Sequence, residues 1–189
     1  MTSNLINQPL TDFSVNAYHQ GEFTKVTQQD AKGHWSIFFF YPADFSFVCP
    51  TELSDLADHY AEFQALSAEI YAVSEDSEFV HKAWAEATDT IAKVQYPMLA
   101  DPAGHLARAF GVLDETSGWA YRATFIIDPD GNIQSYTINN TGIGRNAEEI
   151  LRTLSAAQFV AENGDQVCPA NWHPGQATIT PSAELVGKI

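Results

Sequence analysis

Cysteine occurs twice in the 189 residues, and one of the two stands where a sulfur could react. Cys49 is followed by Pro50, Thr51 and Glu52 and preceded by the aromatic segment Tyr41-Pro42-Ala43-Asp44-Phe45-Ser46-Phe47-Val48. Proline suits the first helical position, and Glu52 stands three residues after Cys49 as in a capping box. Cys49 is therefore expected at or beside a helix N-cap. A sulfur there faces unpaired backbone N–H groups and the positive end of the helix dipole. Both favour the thiolate, which is the nucleophilic form. The alternative is an inert cysteine packed as a small hydrophobe. No Cys-x-x-Cys and no His-x-x-x-His spacing surrounds it, so no metal site is indicated. A Cys–His hydrolase stays open, since its histidine need not be sequence-adjacent, but nothing local signals one.

The elements that must position this cysteine read as alternating strands and helices. Trp35–Tyr41 is a nearly continuous apolar run, as in a strand buried on both faces. Leu53, Leu56, Ala57, Tyr60, Phe63 and Leu66 follow with helical period, and Glu69–Ser74 reads as the next strand. Phe79, Val80, Ala83, Trp84 and Ala87 mark another helix. A third, short helix has Asp101 at its N-cap, Pro102 in its first turn and Gly111 after its end. Ala123–Ile127 is a strand, and Asp128-Pro129-Asp130-Gly131 turns into the strand Asn132–Ile138. A helix with Ile150, Leu151, Leu154 and Ala157 closes the series. The order βαβα, connecting helix, ββα predicts an α/β fold with a central mixed sheet flanked by helices. From Gly164 onward Pro169, Pro174 and Pro181 forbid a continuous helix, giving an extended C-terminal arm that carries Cys168.

Composition narrows the class. Nine Lys and Arg against 24 Asp and Glu give a net charge of −15, which disfavours nucleic-acid and anionic-membrane binding. Aromatic residues at 12% are too many for a disordered acidic chain. Two cysteines make no disulfide scaffold, no apolar run approaches the roughly 18 residues of a membrane helix, and Met1–Pro9 has no secretory character. A cytoplasmic location is the expectation. Gly142-x-Gly144-x-x-Ala147 fits a loose dinucleotide fingerprint but lacks the following strand with its acidic residue, so the glycines are read as turn residues. Asn139-Asn140-Thr141 is a formal glycosylation sequon without meaning in that compartment.

Pro42-x-x-x-Ser46-x-x-Cys49 resembles the Pro-x-x-x-[Thr/Ser]-x-x-Cys motif of peroxiredoxins, and Phe47-Val48-Cys49-Pro50-Thr51-Glu52 resembles their typical two-cysteine class. Tyr121–Asp128, Gly142–Arg145 and Val167–Trp172 fall where that family has equivalents, so the resemblance covers essentially the whole chain. The ending Leu185-Val186-Gly187-Lys188-Ile189 is similar to the bacterial branch, the alkyl hydroperoxide reductase C (AhpC) proteins. Ser46 departs from the threonine usual there, keeping the hydroxyl but losing a β-branched, stiffer side chain.

The resemblance implies a thioredoxin-like peroxidase domain over residues 1–163 and an arm over 164–189, parts of one domain. It implies a thiol peroxidase acting on hydrogen peroxide and organic hydroperoxides without a cofactor. Cys49 would be the nucleophile, with Arg122 touching sulfur and peroxide oxygen, Ser46 donating its hydroxyl to a peroxide oxygen, Pro42 shielding the site from water, and Glu52 and Arg145 orienting Arg122. Taken singly, the two arginines could equally be surface ion-pair partners. Cys168 would resolve the oxidised Cys49, in the resembling class from a second protomer; a bridge within one chain is also compatible with the sequence. The implied partners are a second copy, in dimers assembled into a decamer, and a dithiol reductant, either thioredoxin or an AhpF-type flavoprotein disulfide reductase. Relatives prone to over-oxidation carry a Gly-Gly-Leu-Gly insertion and a terminal Tyr-Phe helix, and neither pattern is present in Trp84–Met98 or near Ile189.

Overall fold

A computed structural model describes residues 4–188, which form two compact units divided between Ala147 and Glu148. Met1–Ser3 and Ile189, the extremes of the terminal segments considered above, lie outside the described residues. The first unit contains strands β1 (Ser14–His19), β2 (Glu22–Thr27), β3 (Trp35–Phe40), β4 (Ala68–Ser74), β5 (Met98–Ala100), β6 (Leu113–Asp114), β7 (Trp119–Ala120), β8 (Arg122–Ile127) and β9 (Ile133–Asn139). Its helices are α1 (Cys49–Asp58), α2 (Tyr60–Ala65), α3 (Glu78–Ala87), α4 (Asp89–Ala92) and α5 (His105–Ala109). The last helix, α6, spans Ala147–Glu162.

Seven strands form one mixed sheet in the order β2-β1-β5-β4-β3-β8-β9. β3, β4 and β5 run parallel, while β8 lies antiparallel to β3, and β9 to β8. Every residue of β3 and of β8 is buried, which is why both read as apolar runs rather than alternating ones. Phe38, Phe40, Phe110 and Phe125 interlock in the core, with Phe110 and Phe125 ring centroids 4.7 Å apart. α2 packs on β4, and α3 packs on β1 and β5. No helix among the described residues is long and apolar enough to cross a membrane.

Several elements differ from the expectation. The apolar period over Leu53–Leu66 is broken at His59, leaving α1 and α2. α5 starts after Gly104, held at φ +64°, rather than at Asp101; the Asp101 carboxylate still caps it by accepting the N–H groups of His105 (2.8 Å) and Ala107 (2.9 Å). The hairpin β1–β2 has no counterpart in the expected element order. β2 is mostly exposed and β1 mostly half-buried, so neither reads as an apolar run, and the two-residue turn is Gln20-Gly21, both at positive φ as a primed turn requires.

In the second unit the proline-punctuated arm folds back on itself. Val167 and Ile179 exchange backbone hydrogen bonds of 2.9 and 3.1 Å, and a 3₁₀ turn follows at Ala183–Leu185. Trp172 is buried against Phe159 of α6, with ring centroids 5.1 Å apart, and donates its indole N–H to the carbonyl of Gln176 at 3.2 Å.

Candidate active site

β3 delivers the chain into the loop that carries the first cysteine. Tyr41 continues the parallel pairing by donating its N–H to Val73 O (3.0 Å), and Pro42 behind it is buried. Phe45 takes a left-handed φ of +53°, which turns the chain so that Val48 enters the helix and Cys49 becomes its first residue. Pro50 is thus the second helical residue, not the first, and Val48 offers no side-chain cap. The expected capping box is absent because Glu52 is committed elsewhere. Cys49 is fully buried and reduced.

The register of β8 decides what stands beside that sulfur. Ala123 pairs with Phe40, so Arg122, one residue earlier, lies just beyond the end of β3 where the loop begins. Arg122 Nη1 donates to Cys49 Sγ at 3.3 Å and to Glu52 Oε2 at 2.6 Å, and its Nε donates to Thr141 O at 2.6 Å. Glu52 in turn accepts from the backbone N–H of Arg145 (2.9 Å), its Nε (2.9 Å) and its Nη2 (3.1 Å). Arg145 is anchored further by Ala123 O (2.7 Å) and Thr124 Oγ1 (3.2 Å), and its guanidinium lies 3.4 Å over the Phe39 ring. The side chains of Arg122, Glu52 and Arg145 are 5, 1 and 5% exposed, so neither arginine is a surface ion-pair partner. Burial pushes the Arg145 guanidinium below its ordinary pKa, and the Glu52 carboxylate works in the opposite direction. Two guanidinium groups against one carboxylate leave one buried positive charge beside Sγ. A sulfur anion brings the cluster to neutrality, whereas a thiol does not. No hydrogen bond joins a histidine to Cys49 among the described residues, and a guanidinium does not serve as a base. Ser46 is half-buried and donates its hydroxyl to Ala43 O at 2.7 Å, so its proton is engaged within the loop and not free for a peroxide oxygen as expected, while no group among the described residues donates to its lone pairs.

Residues 6–136 match the AhpC/TSA family, and residues 156–188 match the C-terminal domain of 1-Cys peroxiredoxin. The chain belongs to the AhpC/TSA family. Alkyl hydroperoxide reductase C of Escherichia coli (strain K12) is 52% identical over 186 residues, covering 98% of this chain and 100% of that one, and the Bacillus subtilis protein of the same name matches equally. The crystal structure of Enterococcus faecalis AhpC superposes with a TM-score of 0.87 at 68% identity, covering 88% of this chain and 100% of that one. Reduced Plasmodium vivax 2-Cys peroxiredoxin gives 0.91 at 30% identity over 96% of each chain. The fold is thioredoxin-like.

Around Cys49 one buried pairing escaped the sequence reading. Asp44, inside the cysteine loop, accepts from Tyr41 OH (2.7 Å) and pairs with the fully buried His81 Nδ1 (2.7 Å), while its N–H donates to Asp76 Oδ2 (2.8 Å). That network ties the loop to α3. A His two residues after Phe79 and an Asp two residues after a proline carry no local signal of pairing. Gly144, read from the sequence as a turn residue, also packs against this loop. A Cβ there would lie 3.3 Å from Val48 Cγ1, tighter than ordinary van der Waals contact, so the valine preceding Cys49 would have to give by a few tenths of an ångström. Cys168, in the second unit, is half-buried, with its Sγ 3.9 Å from Ala156 O. Burial pushes its thiol up, opposed by the Arg152 charge.

Proposed function

We propose that the chain is a thiol-dependent peroxidase that reduces hydroperoxides at Cys49. The observation that carries this is the 3.3 Å contact between Arg122 Nη1 and Cys49 Sγ inside a buried cluster with one surplus positive charge. The relatives named alkyl hydroperoxide reductase C support a hydroperoxide as substrate and a reductase as partner.

The Cys49 thiolate attacks the terminal oxygen of R–O–O–H, forming an S–O bond as the O–O bond breaks. Cys49 becomes a sulfenic acid, and RO⁻ departs and takes up a proton. Arg122 stabilises the attacking sulfur and the charge that moves onto the peroxide oxygens, because its planar fork can address two acceptors at once. Ser46, its own proton held by Ala43, offers lone pairs to the hydroperoxyl O–H and thereby aligns the O–O bond. Pro42 keeps water from the sulfur. Glu52 holds Arg122 in place and Arg145 holds Glu52.

Cys168 of a partner protomer then attacks the sulfenic sulfur, expelling water and forming an intermolecular disulfide. An external dithiol, thioredoxin or an AhpF-type flavoprotein disulfide reductase, reduces that bridge. The working assembly is a homodimer within a decamer, and no nucleic acid, membrane or cofactor takes part. The test is stoichiometry with the resolving thiol removed. Reduced Cys168→Ser consumes about one peroxide per chain and stops with a sulfenic acid at Cys49, and Cys49→Ser consumes none. Equal consumption by both variants would overturn the assignment.

A further inference from the structure

The hairpin leading into Arg122 is clasped by a carboxyl group that the reaction above does not use. β6 and β7 have two residues each, paired Leu113↔Ala120 and Asp114↔Trp119, and the chain runs from Ala120 through Tyr121 directly into Arg122. So short a ribbon has little stability of its own. Tyr121 donates its N–H to Val112 O (2.9 Å), and the fully buried Ala120 donates its N–H to Glu75 Oε2 (2.8 Å). Glu75 follows the last residue of β4, so this bond ties the lead-in of β8 to the central sheet. Its other oxygen, Oε1, is buried with no hydrogen-bond partner among the described residues.

The charges around Glu75 do not make good that deficit. Asp76, next in the chain, accepts from Ser74 OH and from Asp44 N–H (2.8 Å each). Asp101, after β5, caps α5 beside His105. Arg108 on α5 is the cation that feels Glu75, but it is committed to Glu115 in the hairpin turn (2.7 and 3.1 Å) and to Ala103 O (2.6 Å).

We infer that Glu75 is a proton-linked positioning residue: neutral, it clasps Ala120 and keeps the approach to Arg122 in register, and ionised, it leaves its buried place and lets that approach move, slowing peroxide reduction. The inference rests on the role assigned to Arg122 above. A carboxylate with one buried oxygen unpaired bears a desolvation cost well above that of the neutral acid. Burial, opposed by the N–H groups of Ala120 and of Glu75 itself and reinforced by Asp101 and Asp76, pushes the Glu75 carboxyl from 4.5 up to about 7. A carboxyl whose pKa is raised in the folded state binds its proton more tightly there. The clasp is therefore complete below the ordinary value and is lost as pH rises through about 7.

Two measurements on the full chain test this. The first is amide hydrogen exchange of residues 112–122 at about pH 6 and about pH 8.5, corrected for intrinsic exchange, with Ile37–Phe40 of β3 as internal reference. The second is the stopped-flow rate of Cys49 oxidation by hydrogen peroxide at the same two pH values, in the wild type and in Glu75→Gln. That variant keeps an acceptor for Ala120 and cannot ionise. Relative protection at Ala120–Arg122 in the wild type falls by about threefold or more from the lower to the higher pH and stays constant in Glu75→Gln, while the variant-to-wild-type rate ratio climbs from about 1 to about 3 or more. Wild-type protection that does not change with pH overturns the clasp, and this arm needs no variant to fold. Falling protection with a flat rate ratio overturns the link to Arg122. A protein that oxidises no Cys49 at the lower pH defeats the peroxidase reading instead, and the exchange arm still decides the clasp.

Discussion

Replacing Arg122 and Arg145 one at a time by alanine separates the catalytic guanidinium from the structural one. Arg122→Ala removes the donor at 3.3 Å from Cys49 Sγ, the 2.6 Å bond to Glu52 and the 2.6 Å bond to Thr141 O. Glu52 nevertheless keeps its three bonds from Arg145, so no buried charge is orphaned. The stability loss is then that of charged hydrogen bonds, about 1.5–3 kcal/mol. The kinetic loss is larger, because an aligned donor in a dry site is worth about 10²–10³ in rate. Arg145→Ala reverses the pattern. It strips two side-chain bonds from Glu52, leaves Ala123 O and Thr124 Oγ1 without their partner, and unstacks Phe39. Breaking a buried pair in this way costs about 3–5 kcal/mol, yet Arg122 still faces the sulfur, so the rate falls by only about tenfold. Urea denaturation of the reduced variants gives the first quantity, and stopped-flow tryptophan fluorescence during single-turnover oxidation by hydrogen peroxide gives the second. Equal kinetic losses at the two positions, or a slower Arg145→Ala than Arg122→Ala, would refute the division of roles.

Ser46→Ala slows oxidation by about tenfold through loss of the acceptor that aligns the peroxide, and Ser46→Thr preserves the rate; the same stopped-flow assay compares them. Asp44→Ala leaves Tyr41 OH and His81 Nδ1 buried without their partner and destabilises the protein by about 2–5 kcal/mol, read as a drop in the urea midpoint. Excess peroxide leaves Cys49 mostly in the disulfide rather than the sulfinic acid, because the first turn of α1 has no side-chain cap and opens readily; intact-mass spectra with a dominant gain of two oxygens would contradict this.

What was legible in the sequence was what local chemistry dictates. The run Trp35–Tyr41, the turn Asp128–Gly131 and the proline after Cys49 each announce a strand, a hairpin or a helix start without help from distant residues. Arg122 was readable as a cation at the head of a strand. Its place beside Cys49 comes from the antiparallel register of β8 on β3, a pairing between residues 83 to 91 positions apart in the chain. Glu52 shows tertiary structure overriding a local motif: its spacing from Cys49 suits a capping box, but two buried guanidinium groups claim the carboxylate. The three-residue β5 and the polar β1–β2 hairpin have too few apolar residues for periodicity to register, and the Gln20-Gly21 turn lacks the Asn-Gly or Asp-Gly signal.

The central claim, that Cys49 is oxidised by peroxide and resolved by Cys168 of another protomer, is tested most directly on a non-reducing gel. The fully reduced protein is treated with about one equivalent of hydrogen peroxide per chain, blocked with an alkylating agent and run without reductant, beside Cys49→Ser and Cys168→Ser. A band at twice the monomer mass in the wild type, absent from both variants and reversed by dithiothreitol, is the result this account predicts. A disulfide that leaves the wild type at monomer mass, or a double-mass band that survives either substitution, would contradict it.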